Sequence, residues 1–162
     1  MTKEHFPATP AIRAMKEKGV AFTLHPYKYE ERGGTETAAR ELGVDEYRVV
    51  KTIVMEDDDR KSPFIVIMHG NRHVSTKNMA RLLGVKSVSA CDPKVAEKHT
   101  GYMVGGTSPF GTRKLLPVYV EATVLDLPKI LINAGRKGLL AEMAPSELLR
   151  VLDARPVTVA VR

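Results

Sequence analysis

A chain of 162 residues, 43% hydrophobic and 27% charged, with one cysteine and no tryptophan, has the composition of an ordinary globular domain. The totals exclude an internal disulfide, a CxxC zinc site and a transmembrane span of about 18 apolar residues, and 6% aromatics disfavours a broad base-stacking platform. The excess of 25 Lys and Arg over 19 Asp and Glu, +6 overall with a pI near 9.5, attracts polyanions and favours recognition of a backbone or a strand end. At this length one core can bury roughly 68–70% of the surface of the unfolded chain. A single domain over residues 1–162 is expected, with residues 1–8 as a flexible N-terminus. No apolar signal segment opens the chain, so the cytoplasm is the expected compartment.

In chain order, Thr9 and Pro10 open a helix that carries Ile12 and Met15 inward and stops at Gly19. Val20, Phe22 and Leu24 alternate as a half-buried strand, and a polar loop runs from Pro26 to Gly34. A helix from Thr35 to Leu42 ends at Gly43, and Asp45 caps one further turn. The β-branched run from Val49 to Met55 pairs as a hairpin with the run from Phe64 to Met68. Between them Asp57, Asp58 and Asp59 read as a solvated turn, since they lack alternating metal-ligand spacing. Ser75, Met79, Leu82, Leu83 and Gly84 mark another amphipathic helix, followed by a strand from Val85 to Ala90 and a helix opened by Asp92-Pro93. Strands are expected from Leu115 to Val120 and from Lys129 to Ile132, and a basic turn from Asn133 to Gly138 leads into the segment from Leu139 to Met143. A last helix starts at Pro145, and a strand from Val157 to Val161 closes the chain. The mixture lacks a βαβ rhythm, which favours α+β with a mixed, largely antiparallel sheet curled into a barrel-like core flanked by helices.

The stretch Gly101-Tyr-Met-Val-Gly-Gly-Thr-Ser-Pro-Phe-Gly111 holds four glycines, a proline and two hydroxyl residues and cannot be an ordinary helix. Two readings stand: a turn that needs positive φ, or a cradle of outward N–H groups for an anion or oxyanion. Residues 106–111 have Walker A glycine spacing, but Thr112-Arg113 replaces Lys-Ser/Thr. Ser108 lacks the second glycine of a nucleophile elbow, and Pro109 removes the N–H an oxyanion hole would use. Lys51 is the other unusual residue, an ammonium in mid-strand with Val49, Ile53 and Met55 on its face. It either snorkels to the rim of an edge strand or meets an anion in a pocket. Cys91 reads as a small buried hydrophobe or, beside a helix start, a stabilised thiolate. His69 and His73 are spaced i, i+4, but Gly70-Asn71 makes the segment a turn. His25 stands at a strand end, either satisfied or facing a pocket.

Lys51-Thr-Ile-Val, the stretch from Gly101 to Gly111 and Asn133-Ala-Gly-Arg-Lys-Gly138 together resemble the YbaK/EbsC family of aminoacyl-tRNA deacylases, related to the editing domain inserted in bacterial prolyl-tRNA synthetase. The resemblance runs from about Pro10 to Val161. It implies a free-standing trans-editing hydrolase that cleaves the ester of mischarged tRNA, Cys-tRNA(Pro) being the family's best-known substrate. It makes Lys51 the key catalytic residue and places Tyr27, Thr52, Gly101, Gly105, Gly106, Thr107, Ser108, Pro109, Asn133 and Gly135 around the aminoacyl ester. No cofactor or metal is implied. The implied partners are the tRNA acceptor end and prolyl-tRNA synthetase, not a membrane or DNA, and substrate groups such as a cysteine thiol or a ribose hydroxyl stand in for a protein nucleophile. Arg113, Lys114, Arg136 and Lys137 are candidates to meet tRNA phosphates.

An activated ester needs mainly positioning and oxyanion stabilisation, which loop N–H groups and the Lys51 ammonium can supply. Cysteine-specific members of the family carry a small hydroxyl residue and Gly-Gly where this chain has Asn133-Ala-Gly135, and Gly-Leu-Asp where it has Gly138-Leu-Leu140. The expectation is therefore the deacylase class, with cysteine, alanine and serine all open as the amino acid. A non-catalytic tRNA- or synthetase-binding module and a small-molecule ester hydrolase are the alternatives.

Overall fold

Caps and breakers start and stop the helices close to where the sequence places them. The structure, a computed structural model, describes residues 8–162, so the expected flexible N-terminus lies almost wholly outside the described residues. Thr9 accepts the Ile12 amide and Pro10 fills the first position of α1 (Pro10–Glu17). The Val20 amide is spent on the Met15 carbonyl, so β1 (Thr23–Pro26) begins later than the alternation from Val20 suggests. After α2 (Gly34–Leu42), Asp45 caps the single 3-10 turn Glu46–Arg48 through the Tyr47 amide. The hairpin follows, β2 (Val50–Asp57) against β3 (Pro63–His69). Then come β4 (His73–Val74), α3 (Thr76–Leu83) capped by Ser75, β5 (Val88–Ala90) and α4 (Pro93–Thr100) capped by Asp92. Residues 101–117 form the long glycine loop. β6 (Val118–Glu121), the 3-10 turn Ala122–Asp126, β7 (Ile130–Arg136), β8 (Leu139–Met143), α5 (Ser146–Leu152), β9 (Arg155–Val157) and β10 (Ala160–Val161) complete the chain.

These strands make three sheets. The largest has the order β5-β2-β3-β6-β9, antiparallel at β5-β2 and β2-β3 and parallel at β3-β6 and β6-β9. The second is β1-β8-β7, antiparallel throughout, and β10-β4 is a two-stranded pair. An isolated parallel bridge between Val49 and Leu131 links the two larger sheets. Val50, Val54, Ile65 and Ile67 pack with α1 and β7 on one face of the large sheet, while Met55, Phe64, Val66 and Met68 pack with Met79 of α3 on the other. Burial on both faces is why β3 reads as a continuous apolar run rather than an alternation. Each such side chain contributes about 1.5–3 kcal/mol.

Five expectations need correction. The α+β class with mixed sheets holds, but the sheets do not close into a barrel. The strand expected from Leu115 begins only at Val118, since Leu115 is fully exposed and the Pro117 carbonyl starts the pairing by accepting the Ile65 amide. The closing strand is split, because a buried carboxylate, Glu121 Oε1, takes the Val159 and Ala160 amides and lets β9 and β10 pair in different sheets. The expected turn from Asn133 is instead strand: β7 continues to Arg136 through an irregularity between Asn133 and Arg136, leaving only two residues to turn. Leu82, expected to face inward on α3, is also exposed.

Thr9 locks α1 to that irregular stretch, since its hydroxyl also donates to the Ala134 carbonyl. Thr9→Ala removes the cap and strands a buried acceptor, so the unfolding free energy in urea should fall by about 1–3 kcal/mol. Thr9→Ser keeps the oxygen and should lose less.

Candidate active site

A cleft with a volume of about 780 Å³ follows the edge of β2 that β3 does not occupy. On that edge β2 pairs with β5 only at Met55, Glu56 and Asp57. The Val54 carbonyl accepts the Cys91 amide, so Val54 points its polar backbone groups toward the cleft side. Alternation gives the backbone of Thr52 the same direction, with no strand opposite. The other walls are the loop before α2, the start of α4, the glycine loop and the turn between β7 and β8.

Lys51 and Thr52 both line this cleft, from opposite faces of β2. The Lys51 ammonium donates to the Arg72 carbonyl and has no ion-pair partner among the described residues. Half-burial lowers its pKa from the ordinary lysine value of 10.5, and the Glu46 carboxylate pulls the other way. Lys51 thus lines the cleft while its ammonium is bonded to the turn that follows β3. Thr52 Oγ1 is a buried hydroxyl with no partner among the described residues, a cost that a ligand in the cleft can offset.

The glycine loop is held by its own side chains and by β7. Tyr102 Oη donates to the Phe110 carbonyl at 2.6 Å, and the wholly buried Ser108 accepts the Phe110 amide through Oγ at 3.1 Å. Asn133 clasps the loop to the sheet: its Nδ2 donates to the Gly105 carbonyl at 3.1 Å, and its Oδ1 accepts the Gly135 and Arg136 amides at 2.7 and 3.1 Å. A Cβ on Gly106 would stand 2.9 Å from the Lys137 nitrogen, so only glycine lets the two backbones approach this closely. The Gly101 and Gly106 amides are consumed by the Glu97 and Met103 carbonyls. Those of Gly105 and Thr107, both at the cleft, have no acceptor among the described residues.

The cleft therefore gathers Lys51, Tyr27, Thr52, Gly105, Thr107, Asn133 and Lys137 from the sequence candidates. Gly101, Gly106, Ser108, Pro109 and Gly135 shape the loop and the β7 irregularity without lining the cleft. Burial first, then Tyr29, raises the Tyr27 phenol pKa. Lys137 is already engaged, 3.0 Å from Glu31 and 5.1 Å over the Tyr29 ring, and Glu31 raises its pKa. Arg136, Arg113 and Lys114 are exposed, the last two backed onto the end of α4 through their amides. Cys91 lines the cleft, but burial and then Glu56 push its thiol up to about 11, against a thiolate nucleophile. His25 is satisfied by Glu142 at 3.2 Å, and no group of three His, Cys, Asp or Glu among the described residues is placed to hold a metal. Sequence reasoning missed Tyr29, whose hydroxyl would lie 2.6 Å from a Cβ on Gly105, and Arg32, a cleft residue at φ +60°. The spacing of Tyr27 and Tyr29 was the available signal for the first.

Residues 30–151 match the aminoacyl-tRNA editing domain, and the chain belongs to that family. It is 29% identical over 146 residues to the candidate Cys-tRNA(Pro)/Cys-tRNA(Cys) deacylase EbsC of Enterococcus faecalis, covering 90% of this chain and 88% of that protein. It is 30% identical over 96 residues to the proline–tRNA ligase of Caldicellulosiruptor bescii, covering 59% of this chain but 16% of the ligase. In fold it resembles the crystal structure of a candidate trans-editing enzyme for prolyl tRNA synthetase, with a TM-score of 0.84 and 21% identity over 98% of this chain and all of that one.

The Asn133 clasp can be tested apart from any activity. Asn133→Asp keeps acceptors for Gly135 and Arg136 but cannot donate to Gly105, whereas Asn133→Ala loses all three bonds. Both variants should show faster limited proteolysis within residues 101–111, and only Asn133→Ala should also lose about 1–3 kcal/mol of stability in urea.

Proposed function

We propose that this protein hydrolyses the ester between a small, wrongly attached amino acid and the 3′ end of tRNA, acting in trans to a synthetase. The observation that carries this reading is one cleft lined both by Lys51, whose ammonium has no ion-pair partner among the described residues, and by Gly105 and Thr107, whose amides have no acceptor among them. In an editing-domain family member these groups suit an ester whose carbonyl oxygen gains negative charge when water adds to the carbon. The ribose oxygen then leaves, giving free amino acid and tRNA. The amino-acid end would lie against Thr52, Cys91 and Leu140, a wall with little charge that suits cysteine or alanine. Cys-tRNA(Pro) is the first substrate to try, in line with the name of the Enterococcus relative. Among the basic candidates, Arg113, Lys114 and Arg136 retain the exposure to meet acceptor-stem phosphates, whereas Lys137 is tied to Glu31.

Lys51→Ala should retain the fold by circular dichroism and lose on the order of a hundredfold or more in deacylation across a panel of Cys-, Ala- and Ser-charged tRNAs. Unchanged turnover in that variant rules out the role of Lys51, and no turnover by the parent protein on any charged tRNA rules out the hydrolase reading. Because burial lowers the Lys51 pKa, the ammonium is lost at a lower pH than for a solvated lysine. The deacylation rate, corrected for uncatalysed hydrolysis, should therefore begin to fall on the alkaline side below pH 10.5. Any residual activity of Lys51→Arg should lack that decline.

A further inference from the structure

Behind the cleft wall runs a polar chain, buried at His69 and Glu121 and reaching the surface at Thr123, that the proposed reaction does not use. His69, at the end of β3, has no solvent exposure, and Glu121 is 1% exposed. Nδ1 of His69 lies 2.8 Å from the Tyr47 carbonyl and Nε2 lies 2.7 Å from Thr123 Oγ1, which is 2.9 Å from Glu121 Oε2. A carbonyl only accepts, so Nδ1 carries a proton and donates to Tyr47 whichever way the Thr123 hydroxyl turns. The ring also stacks on Tyr47, with centroids 3.6 Å apart and planes at 13°. Two such groups are costly to bury unless they are hydrogen-bonded, and a fully bonded network of this kind rigidifies the segments it connects.

What they hold is the setting of Lys51. The segment tied by Tyr47 carries Glu46, the carboxylate that acts on the Lys51 ammonium. The turn that leaves His69 carries the Arg72 carbonyl that receives it, and the Arg72 amide donates back to the His69 carbonyl at 3.2 Å. The Arg72 guanidinium lies 5.4 Å over the same Tyr47 ring that stacks on His69. Thr35 Oγ1 bridges the two segments, 2.7 Å from Glu46 Oε2 and 3.1 Å from the Gly70 carbonyl. We propose that His69 is a positioning residue for Lys51, its Nδ1 bond to Tyr47 fixing the two segments between which the ammonium is suspended. This rests on the reading of Lys51 as the catalytic group. The charged groups around the relay are Glu121 beyond Thr123, Arg72 over Tyr47, and Glu46 and Lys51 at the cleft.

The test compares His69→Asn, whose amide can reach the Tyr47 carbonyl from the Nδ1 position, with His69→Gln, which reaches only toward Thr123, and His69→Phe, which keeps the stack alone. Two readouts are taken on folded protein. One is the titration of Lys51, followed by the 13C resonance of reductively methylated lysines and assigned by its loss in Lys51→Arg. The other is the split of kcat and KM on Cys-tRNA(Pro). The proposal expects the Lys51 titration to shift in the Gln and Phe variants, with kcat down on the order of tenfold to a hundredfold and KM nearly unchanged, and both readouts to stay near the parent values in His69→Asn. A parental Lys51 titration in Gln and Phe overturns it, as does a loss in His69→Asn equal to that in Gln. If His69→Phe does not fold, the Asn and Gln pair decides. If no charged tRNA is turned over even by the parent protein, the proposed function fails, and the lysine titration still decides whether His69 positions Lys51.

Discussion

Everything around the cleft depends on how the second edge of β2 is paired. The strand is fully partnered by β3 on one side, whereas on the other it is met, among the described residues, near its two ends, by the bridge from Val49 to Leu131 and by Cys91 and β5 at residues 54–57. Between those ends residues 50–53 face a gap between two sheets. An unpaired edge is ordinarily a liability, managed by covering it or by placing charge on it. Here loops cover the gap without filling it, and a lysine stands in its middle. The same gap that leaves the Thr52 backbone without a strand partner gives Lys51 a route out of the core.

The loops that wall the gap are rigid because their polar groups are spent on one another. Tyr102 and Ser108 bind the loop backbone at Phe110, and Asn133 binds it to β7. Close approach at Gly106 finishes the join. Of the amides in this stretch, those of Gly101, Tyr102, Gly106 and Phe110 are spent internally, so any role for it as an anion cradle rests on the cleft-lining Met103, Val104, Gly105 and Thr107, whose amides have no acceptor among the described residues. Most of the motif is scaffold, and a small part is available to a ligand.

Features encoded by neighbours a few residues apart were legible in the sequence. The caps at Thr9, Asp45, Ser75 and Asp92, the stops at Gly43 and Gly84 and the β2-β3 hairpin all belong to this kind. Features set by distant partners were not. Local periodicity cannot tell that a carboxylate at Glu121 will divide the last strand by capturing the Val159 and Ala160 amides. Nor can it tell that Asn133 will hold an irregular strand by bonding to its own neighbours, since Asn-Ala-Gly is ordinary turn composition. The pocket was half legible: Lys51 was conspicuous as a charge in an apolar strand, while Tyr29 was marked only by its spacing from Tyr27 and Arg32 lay in a polar loop with no pattern to single it out.

The burial of Lys51 also explains why the polar chain behind it is so complete. An ammonium in an apolar strand needs at least one strong acceptor and a nearby negative charge to offset lost hydration. The Arg72 carbonyl and Glu46 meet that need, but both sit on short connecting segments that have little apolar surface to anchor them. Segments of that kind open locally unless something rigid holds them. His69 is rigid because it ends a buried strand, and its bonds reach the Tyr47 carbonyl on one side and the Glu121 carboxylate, through Thr123, on the other. The core thus extends by polar contacts to the two groups that keep a lysine charged at the cleft, and a cation in mid-strand becomes compatible with a well-packed sheet.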